Sequence, residues 1–246
     1  MLPPEVTRYL GDLVVRLKRS VGSDLVGVWL FGSAALGDFD IRRSDLDVQA
    51  VTEDRLPRAG LRGLARTLSH QAMPCPARRL EFVLYSRAGL DHEAGAAPQL
   101  NLNTGGDVSR TDYEIDDAER FWFVTDIAIG REHGIPLFGP AASSVFPAPS
   151  PALIGTALLR SLIWLRQHEP ASPGTVLAAC RAWAWASDGE WRSKTDAARW
   201  AQTRLDDPTP IDRALALRSG QAAAPLAPAQ VDEIIDLARA RLSGTA

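Results

Sequence analysis

Asp45 and Asp47 head a hydrophobic run, Asp45 to Thr52, and few local arrangements tolerate such a pair. Residues two apart on a strand point to the same face. Neighbouring carboxylates repel, and removing them from water is costly unless a cation neutralises them. A divalent metal is the usual answer, and oxygen ligands suit Mg²⁺. An earlier hydrophobic run, Leu25 to Phe31, enters a turn that begins Gly32-Ser33. Glycine leaves backbone N–H groups open to a phosphate, and Ser33 adds a hydroxyl. A lone Asp-x-Asp is common by chance and reads as solvated. This pair follows a Gly-Ser turn and is flanked by strand-like runs, which favours a site for metal and phosphate and so nucleotide chemistry.

Size and charge narrow the class. The 246 residues suffice for one large domain or two smaller ones. At 46% hydrophobic and 23% charged, the composition is that of an ordinary globular protein. A net charge of −3 gives no reason to expect a polyanion partner, so nucleic acid is not expected. Cys75 and Cys180 are far apart and lack metal-ligand spacing, so they read as buried thiols in a reducing compartment. No run is apolar enough to span a membrane, and the N-terminus does not read as a signal peptide. The expectation is a soluble, cytoplasmic protein.

Along the chain, apolar spacing predicts a helix over Glu5 to Ser20, strands over Leu25 to Phe31 and Asp45 to Thr52, a helix over Leu61 to His70 and a strand over Arg79 to Tyr85. That order indicates a small α/β or α+β domain built on one sheet. Gly95 to Asp117 is polar and weakly patterned, so it reads as a long substrate-side loop or a frayed sheet edge. Gly105-Gly106 within it reads as flexible loop. Asp117 to His133 regains helical spacing and Gly134 ends it. Pro136 to Pro151 reads as the linker between domains 1–150 and 151–246. Beyond Pro151 every patterned stretch is helical, as in a bundle.

Three further groups of residues bear on function. Glu81 lies inside the hydrophobic strand Leu80 to Leu84, where a carboxylate needs a partner. Alone it is as readily an edge residue facing water. Beside an aspartate pair it suits a second-metal ligand or a general base on an attacking hydroxyl. Arg181 and Lys194 read as solvated cations, although Ser193 to Asp196 resembles a capping box whose first-turn lysine runs against the helix dipole. His70, His92, His133 and His168 are scattered, and the tryptophans at 183, 185 and 200 read as packing.

The segment Gly32-Ser33 through Ser44-Asp45-Leu46-Asp47, with Glu81, resembles the nucleotidyltransferase fold of the DNA polymerase β superfamily. The run Val176 to Trp183, then Asp188-Gly189-Glu190, Ser193-Lys194 and Ala197 to Ala201, is similar to the helical domain of aminoglycoside O-nucleotidyltransferases, the streptomycin and spectinomycin adenylyltransferases. Arg131 to Gly134 with Leu137 to Pro140 fits their central segment. The resemblance implies an α+β fold: a nucleotidyltransferase domain with a mixed sheet and flanking helices, then an all-helical domain closing the cleft. It implies that Gly32, Ser33, Ser44, Arg181 and Lys194 serve ATP, that Asp45, Asp47 and Glu81 hold Mg²⁺, and that Glu81 takes the proton from an acceptor hydroxyl.

Streptomycin-modifying members carry a tryptophan before the central helix and an acid near the start of the Arg181 helix. Here those regions read Asn101 to Gly106 and Ala171 to Gly174, without either, which favours spectinomycin. The run Asp112 to Asp117, with Glu114, is left as a source of negative charge for a cationic acceptor. The rival expectations are an adenylyltransferase acting on protein, RNA or another hydroxyl compound, and a non-catalytic nucleotide-binding module. The acceptor-binding residues and the oligomeric state are not legible.

Overall fold

A computed structural model describes residues 2–91 and 96–243. His92 lies outside the described residues. The chain divides into two compact units, Met1–Pro149 and Ser150–Ala246.

The first unit begins with α1, Pro4–Val21, whose buried Val6, Tyr9, Leu10, Leu13, Val14 and Leu17 recur at helical spacing. Then come β1 (Leu25–Leu30), the single turn α2 (Gly32–Ala35), β2 (Leu46–Thr52), α3 (Arg58–Leu68), β3 (Arg79–Ser86), α4 (Arg87–Leu90), β4 (Leu100–Gly105), β5 (Ser109–Asp112), α5 (Phe121–His133) and β6 (Ile135–Phe138). The strands form one sheet in the order β5-β4-β3-β2-β1-β6. Among the described residues only β2 and β3 pair in parallel. A parallel pair needs a crossover, and α3 supplies it.

Each face of the sheet has its own core. Val28, Leu30, Leu46, Val48, Ala50, Leu80, Phe82, Leu84, Leu100 and Leu102 pack with α1 and α3. Trp29, Phe31, Val51, Val83 and Tyr85 pack on the other face with Phe123 and Ile127 of α5 and with Phe146. The Phe146 ring meets Trp29 edge-on at 5.0 Å and Phe31 at 5.3 Å.

Three sequence expectations change. The polar stretch after Gly95 contains a hairpin, β4 and β5, at one edge of the sheet. Leu100, Leu102 and Thr104 are buried while Asn101 and Asn103 are half-buried, so the stretch alternates as a strand should. Second, the expected linker begins inside the first unit. Ile135–Phe138 pairs with β1, and Ala142 and Phe146 are buried. Pro136 lacks an N–H, which an edge strand such as β6 accommodates. Third, Asp45 stands one residue ahead of β2 rather than on it.

The second unit is helical: α6 (Pro151–His168), α7 (Pro173–Asp188), α8 (Lys194–Gln202), α9 (Thr209–Arg218) and α10 (Pro228–Ser243). Helix α7 packs against the other four, which is why its Val176, Leu177, Ala179, Cys180, Ala182 and Trp183 are all buried. Serines cap α6, α7 and α8. Arg166 ties α6 to Asp232 at 2.6 Å and Asp236 at 2.8 Å on α10. Trp183 meets Trp200 edge-on at 5.3 Å, and both cysteines are buried free thiols, as the packing readings expected.

Candidate active site

The site builds outward from β1. Phe31 N–H donates to the Asp47 carbonyl at 2.8 Å, so the chain stays paired as it leaves the strand. Gly32 then turns with φ +62°, and the carboxylate of Asp47 lies against it. A Cβ at position 32 would fall 1.8 Å from Asp47 Oδ2. Glycine is therefore required twice, for the backbone angle and for the space. Ser33 sits half-buried in α2. Ser44 closes the loop into β2: its Oγ accepts from the Asp40 N–H at 3.0 Å, and its own N–H donates to the Asp40 carbonyl at 2.7 Å. Arg42 N–H and the Arg42 and Arg43 side chains in turn hold the Asp40 carboxyl below its ordinary range.

The parallel register sets Asp47 directly beside Glu81. Asp45, just before the strand, is joined to Glu81 through Arg79. Arg79 Nη2 is 3.2 Å from Asp45 Oδ2, and its Nε is 3.1 Å from Glu81 Oε1. The side chain of Glu81 is 33% exposed, yet its carboxyl is pushed up to about 8. Loss of hydration is the first cause, and the charges of Asp47 and Asp45 follow, with Arg79 opposing them. Sequence reasoning missed Arg79, an arginine two residues ahead of a half-buried acid and on its strand face. That spacing was the available signal.

Two observations bear on a metal. Asp45 Oδ1 is buried without a hydrogen-bond partner, and Arg78 Nε at 3.7 Å is too far to supply one. Asp47 and Asp45 also lie close enough for their charges to bear on Glu81. Carboxylate oxygens gathered in this way suit a hard divalent cation. Among the described residues no group of three His, Cys, Asp or Glu side chains is already arranged as a metal cage. The carboxylates are gathered around a guanidinium instead.

The other sequence-level candidates fall as follows. Arg181 lies half-buried on α7, and Lys194 opens α8 behind the Ser193 cap, whose Oγ accepts from Asp196 N–H at 3.0 Å. Glu114 is paired with Arg58 at 3.3 Å and Asp117 with Arg120 at 2.7 Å, while Asp116 caps a short turn through Ala118 N–H. Asp112 is held by Arg110 at 2.8 Å.

Comparison with known proteins supplies what geometry does not. Residues 147–243 match the family model described as the aminoglycoside adenylyltransferase C-terminal domain. The chain is 30% identical over 194 residues to the spectinomycin 9-adenylyltransferase of Staphylococcus aureus, covering 75% of this chain and 74% of that one. It is 29% identical over 213 residues to the aminoglycoside (3'') (9) adenylyltransferase of Shigella flexneri, covering 82% and 80%. In fold it is similar to the spectinomycin adenyltransferase AAD(9) from Enterococcus faecialis, solved with ATP and spectinomycin, with a TM-score of 0.69, 13% identity and coverage of 96% and 98%. The sheet that sets two acids side by side, the helical unit and the extent of these matches agree: the chain belongs to the aminoglycoside adenylyltransferases and is a nucleotidyltransferase.

Proposed function

We propose that this chain moves AMP from ATP to a hydroxyl of an aminoglycoside-type antibiotic, spectinomycin in preference to streptomycin, with Mg²⁺. The observation that carries the reading is the in-register pair Asp47 and Glu81, with Asp45 and the Gly32 turn alongside. Asp45, Asp47 and Glu81 would hold the cation, which when bound stabilises the attacking and leaving oxygens of a phosphoryl displacement. Glu81 accepts the proton of the acceptor hydroxyl. The acceptor oxygen bonds to the α-phosphorus, the bond to the β-phosphate oxygen breaks, and pyrophosphate leaves. Gly32 and Ser33 offer the phosphates a backbone turn and a hydroxyl, Ser44 has a hydroxyl proton to donate, and Arg181 and Lys194 offer positive charge.

The preference for spectinomycin rests on the names of the relatives and on two features of this chain. β4 carries Asn101, Asn103 and Thr104 where the streptomycin pattern has tryptophan, and α7 is entered through Ala171, Ser172 and Pro173 without an acid. The test is to incubate the purified protein with ATP, Mg²⁺ and each antibiotic, and to follow pyrophosphate release together with a mass increase of one AMP on the drug. Modification of spectinomycin is expected. Transfer to neither drug, with label appearing on protein or RNA from a lysate, would overturn the acceptor assignment.

A further inference from the structure

Arg79 opens β3 and stands beside Asp45, since the parallel register pairs Leu46 with Leu80 one residue further on. Its guanidinium therefore lies between two of the acids. Nη2 donates to Asp45 Oδ2 at 3.2 Å. Nε comes within 3.1 Å of Glu81 Oε1 but is not aimed along a hydrogen bond to it, and it is buried without a hydrogen-bond partner. Charge rather than directed bonding holds that side. Burial opposes the charge of Arg79, and Glu81, Asp45 and then Asp107 more than restore it.

The neighbouring strand makes room for this arrangement. Arg79 pairs with Gly105 of β4. A Cβ at position 105 would fall 2.6 Å from Arg79 Cβ and 2.7 Å from the Arg78 carbonyl oxygen, so any side chain there would push the arginine stem aside or part the strands. Gly105, which the sequence suggested was flexible loop, is a strand residue whose missing side chain admits Arg79. The turn that follows carries Asp107, an exposed acid whose charge also reaches Arg79.

Two cations cannot share the same carboxylate oxygens. Asp45 Oδ2 and Glu81 Oε1 face the guanidinium. A dication held by these carboxylates and a guanidinium in its present place would repel at short range, and partial burial strengthens that repulsion. We propose that Arg79 is a displaceable counter-ion of the metal site: it neutralises Asp45 and Glu81 until a divalent cation takes the same carboxylates, and then withdraws its guanidinium. The proposal rests on the reading of Asp45, Asp47 and Glu81 as metal ligands and adds a positioning residue that sets how readily they accept the cation. Arg79 thereby lowers affinity for the cation. A brace that merely held the acids in place would raise it, so the sign of the effect separates the two roles.

The test measures Mn²⁺ binding to the full chain without nucleotide, from the paramagnetic resonance signal of the free ion, in wild type, Arg79→Gln, Arg79→Lys and Asp47→Asn. Arg79→Gln is expected to bind Mn²⁺ about tenfold more tightly than wild type, the scale of one charge-assisted hydrogen bond that no longer has to break. It should also melt lower than wild type in chelator and gain more melting temperature when Mn²⁺ is added, because its acids lack a cation of their own. Arg79→Lys keeps the charge but presents no fork, and should bind Mn²⁺ with an affinity between those two. If Arg79→Gln does not fold, the comparison of Arg79→Lys with wild type decides alone. Equal or weaker Mn²⁺ binding in the Arg79 variants overturns the proposal and makes Arg79 a brace. Asp47→Asn separates this failure from a wider one. Mn²⁺ binding that Asp47→Asn abolishes and the Arg79 variants leave unchanged sinks the counter-ion alone, whereas binding that persists undiminished in Asp47→Asn sinks the metal reading and the counter-ion with it.

Discussion

Gly32 shows how one residue can fix a site through what it lacks. Its φ of +62° and the 1.8 Å approach of Asp47 Oδ2 to a hypothetical Cβ are independent obstacles to any side chain. Gly32→Ala is expected to cost about 1–3 kcal/mol from the backbone angle alone. It should also displace Asp47, so Mg²⁺ binding followed by calorimetry should weaken more than the loss of melting temperature suggests. Glu81 gives a second residue-scale prediction. Its carboxyl sits near 8 in the folded protein against 4.5 for an ordinary glutamate, so the folded state binds that proton more tightly than the unfolded one. The resulting stability is fully present below about 4.5 and lost as pH rises through the folded value. In chelator, wild type should therefore lose melting temperature between pH 5 and pH 8 more steeply than Glu81→Gln. The same variant should fail to transfer AMP yet still bind ATP, and retained turnover would remove Glu81 as the base.

At the level of elements, legibility followed contrast. Strands β1, β2 and β3 were visible because apolar runs end at glycine or at charged residues. Asp47, Glu81 and the glycine turn were visible because carboxylates and Gly-Ser stand out in such runs. The β4 strand has an equally regular Leu-Asn-Leu-Asn alternation, but its polar flanks and the Gly105-Gly106 pair masked it, so the stretch read only as a loop or a frayed sheet edge. The β6 strand was hidden by its proline and by the Ala- and Ser-rich stretch that follows. Arg79 was missed because its importance depends on which strand lies next door, and register is not written in one strand alone. Helix α5 carries its own prediction. A Cβ on Gly130 would lie 1.9 Å from the Phe31 ring, which is 1% exposed and has nowhere to go. Gly130→Ala is expected to destabilise by about 1–3 kcal/mol in denaturant unfolding, since overpacking a fixed core forces backbone shifts. Because Phe31 immediately precedes Gly32, transfer activity should fall as well.

At the scale of the whole molecule, the helical unit was legible through its uniform apolar spacing, and it carries Arg181 and Lys194, the two cations proposed for ATP. Arg181 and Lys194 lie on α7 and α8, helices packed on one another through Trp183 and Trp200. Lys194→Ala is expected to weaken ATP binding about tenfold or more, the magnitude of a lost charge-assisted hydrogen bond. Calorimetry showing unchanged affinity would take Lys194 out of the nucleotide site.

Side chains on β2, β3 and β4 separate by parity. Leu46, Val48, Ala50, Leu80, Phe82, Leu84, Leu100 and Leu102, all even, line the core under α1 and α3, while Asp47 and Glu81 are odd and share their face with Val51, Val83 and Tyr85 of the second core. A mutational scan of these strands should thus show an even comb in which exchanges alter whether the protein persists, and an odd comb in which the acids proposed for chemistry stand among teeth that hold the scaffold.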